Sequence, residues 1–263
     1  MELSIIILNY KSKELAAHCV NILRKSGKEG DFEIIIIDND SGDNSAEFLH
    51  NAFPEIRVIA NKKNLGYGAG NNIGIKHAKG DYILILNPDV EIKYPEIEKM
   101  LDYLKNYPDV GIIGPQLIYP DGTIQDSYRK FPKFCDLIIK RTNLYKFPFF
   151  KKRMTDYLMY DVNPHKIQKV DWLVGAVLLV PKWVFKMVGY FDERYFLFLE
   201  DTDLCRRVWE RGLKVMYFPE AKAIHNHKRL SQGKSWRVLL NKNFYTHISS
   251  ASKYFWKWRN KVN

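Results

Sequence analysis

Short apolar runs alternate with helical patterns through the first hundred residues, and this alternation constrains the fold more than any other feature. The runs "SIIIL", "EIIIID" and "YILIL" have the length and the β-branched content of buried strands. We predict strands over 3–9, 33–38, 56–60 and 82–87, with helices over about 12–26, 44–52 and 67–78 between them. This repeated order is typical of an α/β fold, in which helices cover both faces of a mixed, mainly parallel sheet.

The second half of the chain is less regular. Residues 127–168 show no clean periodicity, and we predict a long excursion without regular structure there. A helix beginning near residue 201 and a pair of strands within "LKVMYFPEAKAIHNH" follow it. We therefore expect one domain over residues 1–227, which includes the excursion, and a helical C-terminal tail over residues 228–263.

Two segments hold the excess of basic residues in a chain whose net charge is +11. Residues 129–153 carry nine Lys or Arg with one Asp, residues 228–263 carry nine with no acid, and both contain several aromatic residues. Lys and Arg beside aromatic rings suit the anionic surface of a membrane, although an ordinary solvated surface can have the same composition. Nucleic acid is not an expected partner, because no nucleic-acid-binding module is present in the sequence.

The sequence also bears on the compartment. No apolar run approaches the roughly 18 residues that a membrane-spanning helix needs. The N-terminus "MELSIIILNY" lacks the basic region and the cleavage site of a signal peptide. We therefore expect a cytoplasmic protein, in contact with the inner face of the membrane if the basic segments bind lipid.

Polar residues follow several of the predicted strands at the point where each strand ends. In a parallel sheet these ends share one edge, and ligands bind there. Asp89, in "NPDV", can offer a carboxylate to Mg²⁺, although Asn-Pro-Asp is also ordinary turn sequence. His225 and His227 follow the last strand and point to opposite faces, so one of them can face Asp89, although a lone histidine is more often structural.

The stretch "FLFLEDTDLC" places Glu200, Asp201 and Asp203 at the start of a helix. Acids at this position stabilise a helix dipole, which is a sufficient structural reason for them. Asp201, however, falls on the apolar face of the predicted helix, where burial would raise its pKa and suit it to accept a proton. The spacing leaves both explanations open.

Taken together and in order, these motifs resemble a family 2 glycosyltransferase of the GT-A fold, in the branch that includes bacterial rhamnosyltransferases. The resemblance covers roughly residues 3–235 outside the excursion, and the motifs that carry it are "SIIILNYKS", "IIDNDSGDNS", "NKKNLGYGAGNNIGI", "YILILNPDV", "WLVGAVLLVPKWVFKMVGYFDERYFLFLEDTDLCRRVWERG" and "AIHNHKRLSQGKS". It implies that a nucleotide lies against Leu8, Asn9, Tyr10, Asn39, Asn64, Asn71 and Asn87, with the amide of Asn39 on a pyrimidine edge.

The same resemblance implies a divalent cation, Mg²⁺ or Mn²⁺. The family's Asp-any-Asp motif is Asn87-Pro88-Asp89 here, so Asp89 is the carboxylate ligand and His225 the expected second contact. Asp201 would be the general base, with Glu200 as its rival and as a ligand of the acceptor hydroxyl. Trp172, Gly175 and Ala176 would form the acceptor wall, although Trp172 fits a buried strand equally well.

The implied activity is inverting transfer of a sugar from a nucleoside-diphosphate donor, either dTDP-rhamnose or a UDP-sugar. The acceptor would be a hydroxyl of a glycan or a lipid-linked intermediate in the synthesis of cell-surface polysaccharide. Two other classes remain open. A sugar nucleotidyltransferase would release pyrophosphate, and a noncatalytic glycan-binding or lipid-binding protein of the same fold would release nothing.

Overall fold

Strands and helices alternate along the chain, as the sequence predicts, through the four strands and three helices of the first 87 residues. The structure, a computed structural model, describes residues 1–28, 30–141, 147–226 and 242–260. The strands are β1 (Leu3–Asn9), β2 (Phe32–Asp38), β3 (Arg57–Ala60), β4 (Tyr82–Leu86), β5 (Val90–Glu91), β6 (Val110–Ile118), β7 (Tyr128–Arg129), β8 (Gln168–Lys169), β9 (Trp172–Leu173), β10 (Val177–Pro181) and β11 (Lys214–His225). The helices are α1 (Lys13–Ser26), α2 (Ser45–Ala52), α3 (Tyr67–His77), α4 (Tyr94–Asn106), α5 (Phe134–Arg141), α6 (Pro148–Leu158), α7 (Lys182–Val188), α8 (Glu200–Glu210) and α9 (Lys242–Trp258).

Within the described ranges, nine strands form one mixed sheet. Eight of them lie in the order β3-β2-β1-β4-β10-β6-β11-β5, and β8 pairs with β11. The pairs β2/β3, β1/β2, β1/β4 and β6/β11 are parallel, whereas β10 is antiparallel to β4 and β6. The predicted α/β fold with a mixed, mainly parallel sheet is therefore confirmed.

Helices cover both faces of this sheet, because successive side chains of a strand point to opposite sides. Ile5 and Ile7 of β1 enter one core with Val20 of α1, while Ile6 enters the other core with Val208 of α8. These isoleucines are fully buried, and each contributes about 1.5–3 kcal/mol relative to an exposed side chain.

Two predictions for the second half of the chain were wrong. The segment predicted as a pair of strands is the single strand β11, whose register against β6 shifts between Phe218 and Lys222, so the strand continues past an irregularity. The excursion over residues 127–168 contains β7, α5 and α6. A two-residue strand such as β7 has no periodicity of its own, since it is defined only by its pairing with β9. Residues 142–146, within the excursion, lie outside the described ranges.

The carboxyl ends of β1, β2 and β4 meet at one edge of the sheet. Asn9 at the end of β1 lies opposite Asp38 at the end of β2, and Ile7 lies opposite Leu86 at the end of β4. Strand β10 runs the other way, with Val177 opposite Leu86, so the residues just before β10 reach the same edge. Strands β2 and β3 lie on one side of β1 and β4 lies on the other, so the strand order reverses at β1. In α/β proteins, ligands bind in the crevice that such a reversal creates.

Within the part of the chain that the structure describes, no helix is both long enough and apolar enough to cross a membrane. The helix α9 falls within the predicted C-terminal tail, and its Tyr254 and Trp258 are buried against Tyr195 and Leu199. It therefore packs onto the segment that precedes α8.

Candidate active site

Asn9 closes the carboxyl end of β1. Its amide nitrogen donates to Oδ1 of Asp38 at 2.8 Å and to Oγ of Ser41 at 3.2 Å, and its Oδ1 accepts from Oγ of Ser12 at 3.0 Å. The side chain is buried, whereas the ring of the adjacent Tyr10 is 46% exposed. Asn9 thus ties β1 to the loop after β2, and Tyr10 is the residue here with an open face for a ligand.

Asn39 holds the loop that follows β3. Its amide nitrogen donates to Oδ1 of Asn64 at 3.0 Å and to the carbonyl of Gly66 at 3.2 Å, while its Oδ1 accepts from the amide of Asn61 at 3.0 Å and from the N–H of Leu65 at 3.1 Å. These four bonds satisfy both N–H groups and both lone pairs of the side chain, which is 2% exposed. In this conformation Asn39 shapes the pocket, and contact with a pyrimidine edge would require the loop to move.

Helix α3 packs closely against β1 next to this loop. A Cβ on Gly70 would lie 2.5 Å from Cδ1 of Leu8, so a larger residue there would have to displace the end of that side chain. Asn71 is buried and donates to the carbonyl of Tyr67 at 3.0 Å. Among the described residues, Oδ1 of Asn71 has no hydrogen-bond partner. A buried acceptor in that state suits a donor group of a bound ligand.

Asp89 and His225 face each other, as the resemblance implies. Nε2 of His225 lies 3.5 Å from Oδ1 of Asp89. The amide of Gln125 donates to the carbonyl of His225 at 2.8 Å, which turns Oε1 of Gln125 toward Nδ1 of His225 at 2.9 Å. Nδ1 then donates to Oε1 of Gln125, and Nε2 of His225 lies on the side of Asp89.

This pair fits a divalent cation, because a ligating histidine characteristically donates its other ring N–H to a neighbouring oxygen. Across the described ranges, no group of three or more His, Cys, Asp or Glu side chains could hold a metal ion. The protein would therefore contribute two ligands, and phosphate oxygens and water would supply the rest, as is common for Mg²⁺. His227, the other predicted histidine, lies outside the described residues.

Asp201, in the first turn of α8, lies against the segment before β10. Its Oδ2 accepts from the N–H of Gly175 at 3.0 Å, and its Oδ1 accepts from the N–H of Thr202 at 2.7 Å and from the hydroxyl of Thr202 at 3.2 Å. The side chain is half-buried. Burial raises the pKa of Asp201, while these hydrogen bonds and the charge of Arg129 oppose the rise. These hydrogen bonds thus fix the orientation of the Asp201 carboxylate, and solvent or a substrate can still reach it.

Glu200 is the more deeply buried of the two neighbouring carboxyl groups. It is 4% exposed, and its Oε2 has no hydrogen-bond partner among the described residues. Burial, followed by the charge of Asp201, raises the pKa of Glu200 well above its usual range. Asp201, whose oxygens accept three hydrogen bonds, is therefore the better placed of the two groups to carry a negative charge.

Tyr67 connects the two halves of the site. Its hydroxyl donates to the carbonyl of Gly175. Burial, followed by the charges of Glu200, Asp201 and Asp89, raises the pKa of Tyr67 well above its usual value, so the hydroxyl remains a donor. Because Gly175 also donates its N–H to Asp201, Tyr67 and Asp201 meet at the same residue.

The acceptor-wall residues differ in their access to this site. Gly175 contacts both Tyr67 and Asp201, and the carbonyl of Ala176 accepts from the N–H of Asn87 at 2.9 Å. Trp172 is 5% exposed, its indole N–H donates to the carbonyl of Lys130 at 2.8 Å, and the guanidinium of Arg129 lies 5.0 Å from its ring centroid. The structure therefore favours the buried-strand alternative for Trp172 over stacking on a sugar.

Sequence reasoning missed three residues of this site, Tyr67, Gln125 and Arg129. Tyr67 is the only aromatic residue in the stretch "NLGYGAGNNIG", and that isolation could have identified it. Gln125 lies just before the irregular excursion and Arg129 lies within it, and neither has a local sequence signal for a place in this site. They reach the site only through the pairing of distant strands.

Comparisons with known proteins identify the family of this chain. Residues 4–167 match Glycosyl transferase family 2. The N-acetylglucosaminyl-diphospho-decaprenol L-rhamnosyltransferase of Mycobacterium tuberculosis is 30% identical over 240 residues, which span 85% of this chain and 76% of that protein. The rhamnosyltransferase WbbL of Escherichia coli K12 is 30% identical over 211 residues, or 72% of this chain and 69% of that protein.

A solved structure shows the same fold. GalNAc-T7, crystallised with UDP, GalNAc and Mn²⁺, aligns with a TM-score of 0.67 at 13% identity and covers 98% of this chain. The alignment takes in 48% of GalNAc-T7, so this chain spans about half the length of that protein. The likeness identifies the fold as GT-A. The match over residues 4–167 and the 30% identity to the Mycobacterium tuberculosis protein show that this chain belongs to glycosyl transferase family 2.

Proposed function

We propose that the chain transfers a sugar from a nucleoside-diphosphate donor to a hydroxyl group, with inversion at the anomeric carbon. The observation that carries this proposal is Asp201, a half-buried carboxylate oriented by Gly175 and Thr202 at the edge of the sheet where the Asp89 and His225 pair also lies. A single displacement needs a general base on the acceptor side of the anomeric carbon and a site for the diphosphate leaving group on the opposite side.

In the proposed step the acceptor oxygen attacks the anomeric carbon as the bond from that carbon to the diphosphate oxygen breaks. The proton of the acceptor hydroxyl passes to Asp201, and the bonding electron pair leaves with the diphosphate. Asp201 is favoured over Glu200 as the base, because hydrogen bonds from Gly175 and Thr202 stabilise a negative charge on Asp201, whereas Oε2 of Glu200 has no hydrogen-bond partner among the described residues. Protonated Glu200 can still donate a hydrogen bond to the acceptor.

On the donor side, Tyr10, Leu8 and Asn71 would line the nucleotide pocket, and Asn39 and Asn64 would hold its wall. Asp89 and His225 would hold Mg²⁺ or Mn²⁺, whose charge would stabilise the departing diphosphate. A metal-dependent reaction is consistent with the Mn²⁺ in the GalNAc-T7 structure.

The relatives' names suggest a rhamnosyl donor and a lipid-diphosphate-linked or glycan acceptor. Contact with a membrane would bring the site to such an acceptor. Trp256 of α9 is 65% exposed and Phe149 of α6 is 86% exposed, both within the basic segments. Exposed rings among Lys and Arg side chains suit the headgroup region of an anionic bilayer. Co-sedimentation with vesicles that contain or lack anionic lipid tests this contact.

The proposed activity is tested by incubating the chain with dTDP-, UDP- and GDP-sugars, Mg²⁺ or Mn²⁺, and a glycosyl-diphosphate-lipid acceptor. We expect release of one nucleoside diphosphate, first from dTDP-rhamnose, together with a product of inverted anomeric configuration by NMR. Release of pyrophosphate would instead identify a nucleotidyltransferase. Binding of donor and acceptor without turnover would identify a noncatalytic protein.

A further inference from the structure

Asp203, two residues after Asp201, is fully buried and is bound by groups from the far end of the chain. Nε of Arg207 and Nζ of Lys257 each lie 2.9 Å from its Oδ2, and the indole N–H of Trp258 donates to its Oδ1 at 2.9 Å. A buried carboxylate is stable only when such partners replace its hydration. The end of α9 is therefore attached to the first turn of α8.

The same helix also binds the loop that leads into α8. Lys257 forms a second ion pair with Asp192 at 2.9 Å. The hydroxyl of Ser250 donates to the carbonyl of Leu197 at 2.8 Å, and Nζ of Lys253 donates to the carbonyl of Arg194 at 2.7 Å. Polar contacts from α9 thus reach residues 192, 194, 197 and 203, on both sides of the turn before α8.

That turn has a backbone conformation that requires support. Phe198 and Leu199 have φ angles of +73° and +69°. Two consecutive non-glycine residues in the left-handed region are unfavourable, and such strain persists where surrounding contacts enforce it. Leu199 packs with Tyr254 and Trp258 of α9, and Ser250 binds the carbonyl of Leu197 just before the turn.

We propose that α9 is a positioning element for the general base, resting on the proposed function of Asp201. By binding Asp203, Leu197 and the side chain of Leu199, α9 maintains the turn from which Glu200 and Asp201 project. Asp201 then meets the N–H of Gly175 at 3.0 Å. Loss of these contacts lets the first turn of α8 move, which lowers the rate of proton transfer. The end of β1 and the loop after β3, on the nucleotide side, keep their own hydrogen bonds through Asn9 and Asn39.

The test uses Lys257→Met and, as a milder change, Ser250→Ala, in the full chain. The matched controls are Arg259→Met, whose described contacts are with Trp256, and Ser252→Ala, an exposed serine on the same helix. We expect kcat to fall about ten- to a hundredfold in Lys257→Met, because small misplacements of a catalytic group have effects of that size. We expect a smaller fall in Ser250→Ala, unchanged donor affinity by calorimetry in both, and native kinetics in the controls.

Hydrogen exchange of the amides of residues 192–203 provides a measurement that does not depend on activity. Exchange should accelerate in Lys257→Met and Ser250→Ala but not in the controls. Native kcat in folded Lys257→Met, or equal losses of kcat and donor affinity, would overturn the positioning role. If the native chain turns over no donor, the proposed function has failed, and unchanged exchange in both variants would then refute the positioning role on its own. If Lys257→Met does not fold, Ser250→Ala decides the question.

Discussion

Replacing Asp201 with Asn removes the proposed base with almost no change in shape. General-base catalysis contributes about 100- to 10,000-fold to a rate, which corresponds to about 2.7–5.4 kcal/mol of transition-state stabilisation at 1.36 kcal/mol for each tenfold. We expect kcat of Asp201→Asn to fall within that range. Donor affinity should be retained, because the residues that line the nucleotide pocket are unchanged.

The same substitution has a cost in stability that follows from the hydrogen bonds. Oδ1 and Oδ2 of Asp201 accept from the N–H groups of Thr202 and Gly175. Asparagine has one acceptor oxygen, so its amide nitrogen must face one of these donors. A donor left unsatisfied costs about 1–3 kcal/mol, and the partial exposure of Asp201 favours the lower end. The activity assay therefore needs a parallel measurement of unfolding by urea.

Asp121→Asn is the matched control for this experiment. Oδ1 of Asp121 also accepts from the N–H and the hydroxyl of a nearby threonine, Thr123, but in an exposed turn. Nucleoside diphosphate release should be native in the control and greatly reduced in Asp201→Asn. If folded Asp201→Asn retains more than about a tenth of the native kcat, Asp201 is not the base.

Three further predictions concern the neighbouring residues. Because the pKa of Glu200 is raised in the folded state above its ordinary value of 4.5, stability falls as pH rises above that value; Glu200→Gln should flatten this decline of the unfolding free energy with rising pH. Gln125→Leu removes the group that orients His225 and should weaken Mn²⁺ binding about 10- to 100-fold by calorimetry. Gly175→Ala would place a Cβ 3.1 Å from the Tyr67 hydroxyl, and it should cost about 1–3 kcal/mol in urea unfolding and lower kcat.

Each of these predictions can be contradicted. Gln116→Leu is the control for Gln125→Leu, since Gln116 is also a buried glutamine with hydrogen bonds, to Pro164 and Tyr217, on the neighbouring strand β6. Equal losses of Mn²⁺ affinity in both variants would exclude a specific role for Gln125. A pH dependence of stability in Glu200→Gln as steep as in the native chain would exclude a raised pKa at residue 200.

The strands and helices of the first half of the chain were predictable because their signals are local. The apolar side chains of the run "EIIIID" are the reason that β2 is buried, so the position of this strand follows from the residues within it. Helix α8 and the short excursion strand β7 show the contrast. The apolar face of α8 was visible in the sequence, whereas β7 exists only because Tyr128 and Arg129 pair with Leu173 and Trp172.

The sequence alone establishes the α/β order, the family resemblance and the residue types that transfer a sugar. The roles of individual side chains depend on contacts between distant residues, such as the N–H of Gly175 on Asp201 and the amide of Gln125 on His225. Asn39 and Trp172 are residue types that can bind a ligand. In the folded chain, however, the side chain of Asn39 already makes four hydrogen bonds within the protein, and the side chain of Trp172 is buried. These groups lie far apart along the chain, so no local sequence pattern predicts that folding brings them together. Their surroundings in the folded chain then determine how deeply each group is buried, what its pKa is and whether a ligand can reach it.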